Sequence, residues 1–148
     1  KGKECVRVDG SDNSHVVYRF SRYKKHSEKH GRYYLTSAVR SNGYHESYEY
    51  SRANGDIGEQ LTRKNKPDGR YLINEYYPKI RHDGENPSEG KIKNQKAPIG
   101  TDGTPIITHR FEYHVVEKTL TPYTSVWDAL DRRIDYHYAI HRRLTAIH

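Results

Sequence analysis

The sequence predicts an all-β protein made of antiparallel hairpins. Two observations favour this class: helical periodicity is nearly absent, and short runs rich in Tyr, Val, Ile and Thr recur between turn-forming dipeptides. Tyr is also frequent, with 14 among 148 residues, and its ring can be buried while its hydroxyl finds a partner. We therefore expect one curved sheet with a tyrosine-lined face.

Nine stretches have the composition of strands, and turn signals bound most of them. They are residues 5–8, 15–20, 32–39, 46–50, 71–77, 106–116, 124–127, 133–138 and 144–147. The dipeptides Asn42-Gly43, Asp68-Gly69 and Asp102-Gly103 predict hairpin turns, because Asn, Asp and Gly accept positive φ. Four prolines lie within or beside residues 79–105, so we expect a long loop there. Residues 1–148 are otherwise interpreted as a single β-rich repeat segment.

The composition limits the core and the class of protein. Leu, Ile, Val and Phe number only 26, so any apolar core is thin. The single Cys5 excludes an intramolecular disulfide and a Cys-based zinc site, and no cofactor is predicted. No apolar run approaches the length of a membrane span, and no signal-peptide core is present. Met is absent, including at position 1, so we expect a processed form or a segment of a longer protein.

A frame of aromatic residues recurs at a fixed distance from the turns. In each copy, aromatic residues stand five and seven positions after a turn residue. The copies are Asn13 with Tyr18 and Phe20, Gly43 with Tyr48 and Tyr50, Gly69 with Asn74 and Tyr76, and Asp131 with Tyr136 and Tyr138. Asn74 replaces the first aromatic residue in one copy. A looser copy leads from Gly103 to Phe111 and Tyr113, with three extra residues between.

This frame predicts which residues pack. Residues two apart lie on the same face of a strand, so the aromatic pairs share one face, and polar residues such as Glu49, Glu75 and His137 share the other. A single hairpin cannot bury its face alone, so stacked neighbours would form a continuous sheet. The packing is assigned to Tyr18, Phe20, Tyr48, Tyr50, Tyr76, Tyr113, Tyr136 and Tyr138, and the turns to Asn42, Gly43, Asp68 and Gly69.

Three segments of the chain share a pattern with a known repeat family. They are Asn42-Gly43 with Tyr48-Glu-Tyr50, Pro67-Asp-Gly-Arg-Tyr71 with Asn74-Glu-Tyr-Tyr77, and Val126-Trp-Asp128-Ala with Tyr136-His-Tyr138 and Arg143-Leu144. Together they resemble the tyrosine-aspartate (YD) repeats of Rhs proteins, whose pattern is Asp-x-x-Gly, Tyr-x-Tyr-Asp and then Gly-Arg-Leu. The chain departs from that pattern at Ser51 and Ala139, which stand in place of the Asp, and at Arg142, which replaces the Gly.

The resemblance implies a structural, non-enzymatic role. Rhs-type repeats coil into a long β-sheet that closes as a hollow shell, and in bacterial Rhs proteins and insecticidal toxin complexes that shell encloses a toxin. In teneurins a similar barrel sits on the cell surface and supports adhesion. By this resemblance the chain packs against neighbouring repeats of the same or a longer chain, helps to enclose or present a toxin, and is secreted or at the cell surface.

Two other functions stay open from the residues themselves. A ribonuclease-type toxin domain needs two groups with pKa near 7 beside a phosphate and a cation, and His109, His114 and Arg110 could supply them. A carbohydrate- or polyanion-binding module is suggested by the pI of 9.4 and by basic clusters with interleaved aromatic residues, although edge strands also carry Lys and Arg to block association. No three of the ten His have a convincing ligand spacing, so no metal site is predicted.

Overall fold

The protein is all-β, as the sequence predicts. A computed structural model describes residues 3–23, 31–53, 56–78, 87–98, 103–116, 119, 121–139 and 143–148, and these residues form eleven strands and no helix. The strands are β1 (Lys3–Asp9), β2 (His15–Tyr23), β3 (Arg32–Arg40), β4 (His45–Ala53), β5 (Asp56–Asn65), β6 (Tyr71–Tyr76), β7 (Ile92–Pro98), β8 (Pro105–Val116), β9 (Thr121–Asp128), β10 (Arg133–Tyr138) and β11 (Leu144–Ile147). A helix that could span a membrane is absent from these ranges.

The chain divides into two compact units, Lys1–Leu72 and Ile73–His148. In the first unit, β1 to β5 lie side by side in chain order, each antiparallel to the next. In the second unit, β6 to β11 follow the same rule, and β6 begins just before the boundary. Each unit, taken by itself, is therefore an antiparallel meander in which the described strands form a single layer.

Two strands were not predicted from the sequence. β5 and β7 consist largely of polar residues, and β7 lies inside the stretch 79–105, so the prediction of one long loop is wrong for Ile92–Pro98. Residues 79–86 and 99–102 lie outside the described residues. Polar strands persist here because their side chains find partners across the sheet: Lys64 Nζ lies 2.9 Å from Glu46 Oε1, and Lys96 pairs with Glu75.

Four hairpins share one five-residue turn. In each, the amide of the first residue donates to the carbonyl oxygen of the fifth, and the fourth residue has a positive φ, as in a three-residue loop with a G1 bulge. The turns are Gly10–Ser14, Arg40–Tyr44, Lys66–Arg70 and Asp128–Arg132, with left-handed Asn13, Gly43, Gly69 and Asp131 at φ values of 60, 82, 78 and 56°. These are the four residues that open the predicted aromatic frame.

Side chains reinforce these turns. In three of them the residue before the left-handed one accepts a hydrogen bond from the backbone amide two positions later; the acceptors are Asp12, Asn42 and Asp68, at 3.1, 3.0 and 3.1 Å. The looser copy of the frame also opens with a left-handed residue, because Gly103 has a φ of 69°. Its neighbour Asp102 lies outside the described residues.

A β-bulge recurs at one position of the same frame. Each lies between the sixth and seventh residues after the left-handed one, at Arg19/Phe20, Glu49/Tyr50, Glu75/Tyr76 and His137/Tyr138. The extra residues on the partner strands are Thr36, Thr62, Lys93 and Thr145. Each Thr donates its hydroxyl to the carbonyl oxygen of the sixth frame residue, at 3.0, 3.2 and 3.0 Å. A bulge increases local twist and interrupts the ladder, so it fixes the pairing register.

Little of the described chain is buried. Ala38 is the only apolar residue in the described ranges that is buried, and the buried polar residues are Ser37, Asn74 and Ser125. All four are small or medium-sized, and two of them lie between larger side chains of the neighbouring strands: Ala38 between Tyr18 and Glu46, and Ser125 between Glu112 and Asp135. The thin core expected from composition is observed, because the aromatic rings lie half-buried along a sheet face rather than between two layers.

The substitution Gly43→Ala tests the turn. A Cβ at Gly43 would meet nothing within 4 Å, so the change affects only the backbone energy at φ 82°. We expect the free energy of unfolding to fall by about 1–2 kcal/mol, because L residues disfavour the left-handed region. Urea denaturation measures the loss, and Asn13→Gly is the matched control that should keep or raise stability. Equal stability of Gly43→Ala and the parent chain would contradict this account of the turn.

Candidate functional site

The candidate packing surface is the tyrosine face, which is the sheet face of each unit that carries the paired aromatic residues. Strand register places Tyr18, Phe20, Tyr48 and Tyr50 together in the first unit, and Tyr76, Tyr113, Tyr136 and Tyr138 together in the second. Glu49, Glu75 and His137 fall on the opposite side, the polar face, as alternation along a strand requires. All eight predicted packing residues therefore share a face with the others of their own unit.

Glu46 organises the tyrosine face of the first unit. Its carboxylate accepts a hydrogen bond from the Tyr48 hydroxyl at 2.8 Å and pairs with Lys64 Nζ at 2.9 Å. The same cross-strand row continues through Ala38 to Tyr18, and the small Ala38 side chain leaves room for larger groups on both sides. Burial, followed by the hydrogen bond to Glu46, raises the pKa of Tyr48 to about 12.

Tyr50 forms a hydrogen bond beside the bulge whose extra residue is Thr36. Its hydroxyl donates to the Leu35 carbonyl oxygen at 3.0 Å, next to the bulge residue Thr36. The Tyr34 ring meets the Tyr50 ring edge-on, with centroids 5.1 Å apart. Burial raises the pKa of Tyr50 above its ordinary value. One phenol therefore joins β3 and β4 where the bulge interrupts the regular ladder between β2 and β3.

Tyr113 has the corresponding position in the second unit. It lies opposite Thr124, which in turn lies opposite Tyr136, so a small residue separates two large rings. Tyr77 meets Tyr113 edge-on at 6.3 Å and donates its hydroxyl to the Phe111 carbonyl oxygen at 3.0 Å. Burial, with a smaller contribution from neighbouring tyrosines, raises the pKa of Tyr113 to about 12. The second unit thus repeats the alternation of large and small side chains.

Cationic side chains lie over many of the rings. The described residues contain Arg22–Tyr33, Arg40–Tyr44, Arg63–Tyr71, Lys64–Tyr48, Lys91–Tyr113, Lys93–Tyr77, Arg110–Trp127 and Arg133–Trp127, at 4.2–5.7 Å from the ring centroids. Long aliphatic stems and charged ends therefore shield rings that no second layer covers.

The polar face of the second unit carries a ladder of three rows across β8, β9 and β10. In the first row, Arg110 and Arg133 approach Trp127 from the two flanking strands, at 4.5 and 5.3 Å from its ring. The only Trp of the chain is therefore enclosed between two guanidinium groups. Such contacts contribute roughly 0.5–1 kcal/mol each at exposed positions.

The second row supplies negative charge beside the first. Ser125, which is fully buried, lies between Glu112 and Asp135. Arg133 donates from Nε to Asp135 Oδ1 at 2.8 Å and from Nη2 to Ser125 Oγ at 3.1 Å. The Arg133 hydrogen bond, followed by that of Ser125, holds the pKa of Asp135 below its usual range. The row therefore links the guanidinium of one strand to the hydroxyl of the next.

The third row is a stack of aromatic rings. His114 and His137 lie on either side of Tyr123, with centroids 4.5 and 5.3 Å away and interplanar angles of 15° in both cases. His148 meets His137 edge-on at 5.2 Å. The Nε2 atom of His114 is shielded from water and lies 3.7 Å from Glu112 Oε2, with no hydrogen-bond partner among the described residues.

This ladder closes the ring faces that a ligand would need. Sugars and nucleic-acid bases bind aromatic side chains by stacking on an open face. Both faces of Trp127 are occupied by arginines and both faces of Tyr123 by histidines. The arrangement therefore cross-links three strands and presents no stacking platform on this part of the sheet.

The grouping proposed from sequence for a ribonuclease site is not assembled. His109 and His114 are five residues apart in β8, which pairs with β9 without a register shift over that stretch. An odd separation puts the two side chains on opposite faces. His109 lies near Phe111 on the tyrosine face, whereas Arg110 and His114 lie on the polar face. Imidazoles on opposite sides of a sheet cannot flank one phosphate, so the prediction that they converge is wrong.

Several cations are already paired, and four of them belong to the basic clusters predicted at residues 63–66, 91–96 and 132–133. Ion pairs join Lys64 to Glu46, Arg70 to Asp68, Lys96 to Glu75, Arg132 to Asp128 and Arg133 to Asp135. These carboxylates reduce the positive field that a polyanion would meet. Within the part of the chain that the structure describes, no three His, Cys, Asp or Glu side chains form a group that could hold a metal ion.

The threonine bulges and the three-row ladder were missed from the sequence. The bulges had a signal, because Thr36 and Thr62 each stand seven residues before a left-handed glycine, Gly43 and Gly69. The three-row ladder had no signal in the sequence, because its rows join residues of three different strands. The register of those strands depends on the turns between them. Comparison with known proteins adds no further assignment, because the chain matches no protein-family model and no curated protein.

Alkaline titration tests the burial of the tyrosine face. Tyr48 and Tyr113 have pKa values near 12 in the folded chain, whereas an unfolded Tyr titrates near 10. A raised pKa favours the protonated phenol in the folded state, so stability is retained below pH 10 and lost as the pH rises toward 12. Urea denaturation across this interval should show the decline, and it should be shallower in the Tyr48→Phe, Tyr113→Phe double variant. An identical pH dependence in the double variant would contradict the burial of these two phenols.

Proposed function

We propose that the chain is a non-enzymatic structural segment of a β-repeat shell of the Rhs or YD type, which packs against neighbouring repeats. The proposal is supported by repetition in three dimensions as well as in sequence. The left-handed turn, the aromatic residue seven positions later and the bulge recur as one unit, with the same offsets, in β2, β4, β6 and β10; the second aromatic residue is present in all of these strands except β6, where Asn74 replaces it. A catalytic domain has no need of such periodicity, whereas a stacked repeat requires it.

The bulge is the observation that carries the proposal. It was not part of the sequence pattern, yet it falls between the sixth and seventh frame residues in all four copies. Three of the four copies use a Thr hydroxyl bonded to the carbonyl oxygen of the sixth residue. The bulge is independent of the aromatic pattern and lies at a constant offset from the turn. It therefore supports the interpretation that the four copies are degenerate repeats rather than chance matches in a Tyr-rich chain.

The resemblance to Rhs repeats extends this proposal to a biological setting. A shell of this type would be secreted or lie at the cell surface, and it would help to enclose or present a toxin. The departures at Ser51 and Ala139 remove the Asp of the Tyr-Asp pair, so the units of this chain depend on other groups. In the first unit the Glu46 carboxylate accepts a hydrogen bond from the Tyr48 hydroxyl.

The two rival functions have less support from the geometry. His109 and His114 point to opposite sides of β8, so the ribonuclease proposal loses its candidate pair. The carbohydrate- or polyanion-binding proposal loses the open faces of Trp127 and Tyr123. The arrangement of these groups instead favours cohesion between strands.

The substitution Tyr138→Ala tests the packing role. Tyr138 is half-buried on the tyrosine face, so we expect the free energy of unfolding to fall by about 2 kcal/mol, as large-to-small changes cause. Leu130→Ala is the control, because Leu130 lies in a turn outside the frame and is 73% exposed. Thermal denaturation followed by circular dichroism compares the two. Equal melting temperatures for the two variants would remove Tyr138 from the packing surface.

Assays of RNA cleavage test the non-enzymatic part of the proposal. The purified chain, with and without EDTA, should leave RNA intact while its circular dichroism shows folded β structure. The His109→Ala, His114→Ala double variant is the control for contaminating nuclease, because trace cleavage from a contaminant would persist in it. Cleavage by the parent chain that the double variant loses would overturn the structural proposal in favour of a toxin domain.

A further inference from the structure

The turn between β3 and β4 contains a chemically labile dipeptide, Asn42-Gly43. Asn is one of the heat-labile residues of proteins. Its side chain is lost when the backbone nitrogen of the next residue attacks the Cγ atom, and a following Gly favours this attack because it carries no side chain. The turn needs that Gly, since the φ of Gly43 is 82°. The residue that permits the turn therefore also makes Asn42 reactive.

The reaction at this dipeptide is deamidation. The Gly43 nitrogen forms a bond to Asn42 Cγ, the bond from Cγ to Nδ2 breaks, and the departing amide takes up the proton of the attacking nitrogen and leaves as ammonia. The five-membered succinimide that results then takes up one water molecule. If the bond from Cγ to the Gly43 nitrogen opens, the product is Asp; if the bond from the main-chain carbonyl carbon opens, it is isoaspartate.

Hydrogen bonds hold both reacting groups in the folded turn. The Gly43 amide donates to the Arg40 carbonyl oxygen at 2.9 Å, so the attacking nitrogen keeps its proton. The Asn42 Oδ1 atom accepts from the Tyr44 amide at 3.0 Å, which fixes the orientation of the side-chain amide. The Arg40 amide closes the turn on the Tyr44 carbonyl oxygen at 2.8 Å. Attack on Cγ therefore requires that the turn open first.

The equivalent turns carry less reactive residues at this position. Asp12 and Asp68 accept the same backbone hydrogen bond, at 3.1 Å in both cases, and Leu130 stands in the fourth turn. Asp68 is also followed by Gly, but its hydrogen bond from Arg70 holds the pKa of its carboxyl below the usual range. It therefore stays an anion, which resists attack by a nucleophile. Among these four turn positions, only Asn42 combines an amide leaving group with a following Gly.

We infer that Asn42 is a site of spontaneous deamidation, which the folded turn suppresses and which opening of the β3–β4 hairpin releases. The two products affect the turn differently. Asp at position 42 keeps the acceptor oxygen that Asp12 and Asp68 use in turns of the same form. Isoaspartate adds one atom to the main chain of a five-residue turn, which displaces the donors and acceptors that close it. Isoaspartate formation thus converts a transient opening of this hairpin into a permanent one.

Peptide mapping by mass spectrometry tests the protection. Trypsin cleaves after Arg40 and Arg52, so Asn42 is measured in the peptide 41–52, separately from Asn54-Gly55, which lies outside the described residues. We expect Asn42 to deamidate at least about tenfold more slowly in the folded chain than in guanidinium chloride at the same pH and temperature. That ratio corresponds to about 1.4 kcal/mol for opening the turn. Equal rates under the two conditions would overturn the inference, and so would an Asn42 that stays intact in guanidinium chloride.

The substitution Tyr50→Phe tests the route of release. It removes the hydroxyl that joins β4 to β3 through the Leu35 carbonyl oxygen at 3.0 Å. Tyr77→Phe is the matched control, because it removes a bond of the same kind and length, to the Phe111 carbonyl oxygen, in the second unit. In buffer, Tyr50→Phe should raise the rate of Asn42 deamidation about threefold or more, and Tyr77→Phe should leave it unchanged. An unchanged rate in Tyr50→Phe, or equal acceleration in both variants, would overturn release by opening of this hairpin.

The substitution Asn42→Asp tests the effect of the two products. It should keep the melting temperature of the parent chain, because Asp supplies the same acceptor oxygen to the Tyr44 amide. The isoaspartate form, separated by chromatography after incubation of the unfolded chain, should melt at a lower temperature once it is returned to buffer. Equal melting temperatures for the Asn42→Asp variant and the isoaspartate form would contradict the different effects assigned to the two products.

Discussion

A β-sheet without a second layer must protect its own two faces from water, and the main features of each unit follow from that constraint. Apolar burial between layers is not available in the described meanders, where Ala38 is the only buried apolar residue. Large rings therefore lie beside small residues, as Tyr113 and Tyr136 lie on either side of Thr124. Lysines and arginines then extend over the rings, as Lys91 does over Tyr113 and Arg110 over Trp127.

The same constraint makes register decisive. A slip of one residue would exchange the tyrosine face for the polar face along a whole strand, and a single layer has no opposing core to resist it. Two devices fix the pairing of each frame strand with its two neighbours. The left-handed turn sets the register with the preceding strand, and the bulge, between the sixth and seventh residues after the left-handed one, lies in the pairing with the following strand. Their constant separation is a mechanical reason for the constant spacing of the aromatic frame.

Sequence reasoning succeeded where the determinants were local. Asn13, Gly43, Gly69 and Asp131 were identifiable because only some residues tolerate positive φ, and alternation then assigned the aromatic residues to one face. It failed for β5 and β7, whose polar side chains are satisfied only across the sheet, as with Lys96 and Glu75. It also failed for His109 and His114, which are neighbours in sequence but are separated by the pleat.

The capping of the rings also bears on where a partner can bind. Rings whose faces are covered by Arg, Lys or His have little left to offer a planar ligand, and the carboxylates beside them compensate much of the charge, as Asp135 does for Arg133. What a single layer cannot satisfy internally is the hydrogen bonding of its outermost backbone. In the proposed shell, backbone pairing with neighbouring repeats would supply that hydrogen bonding.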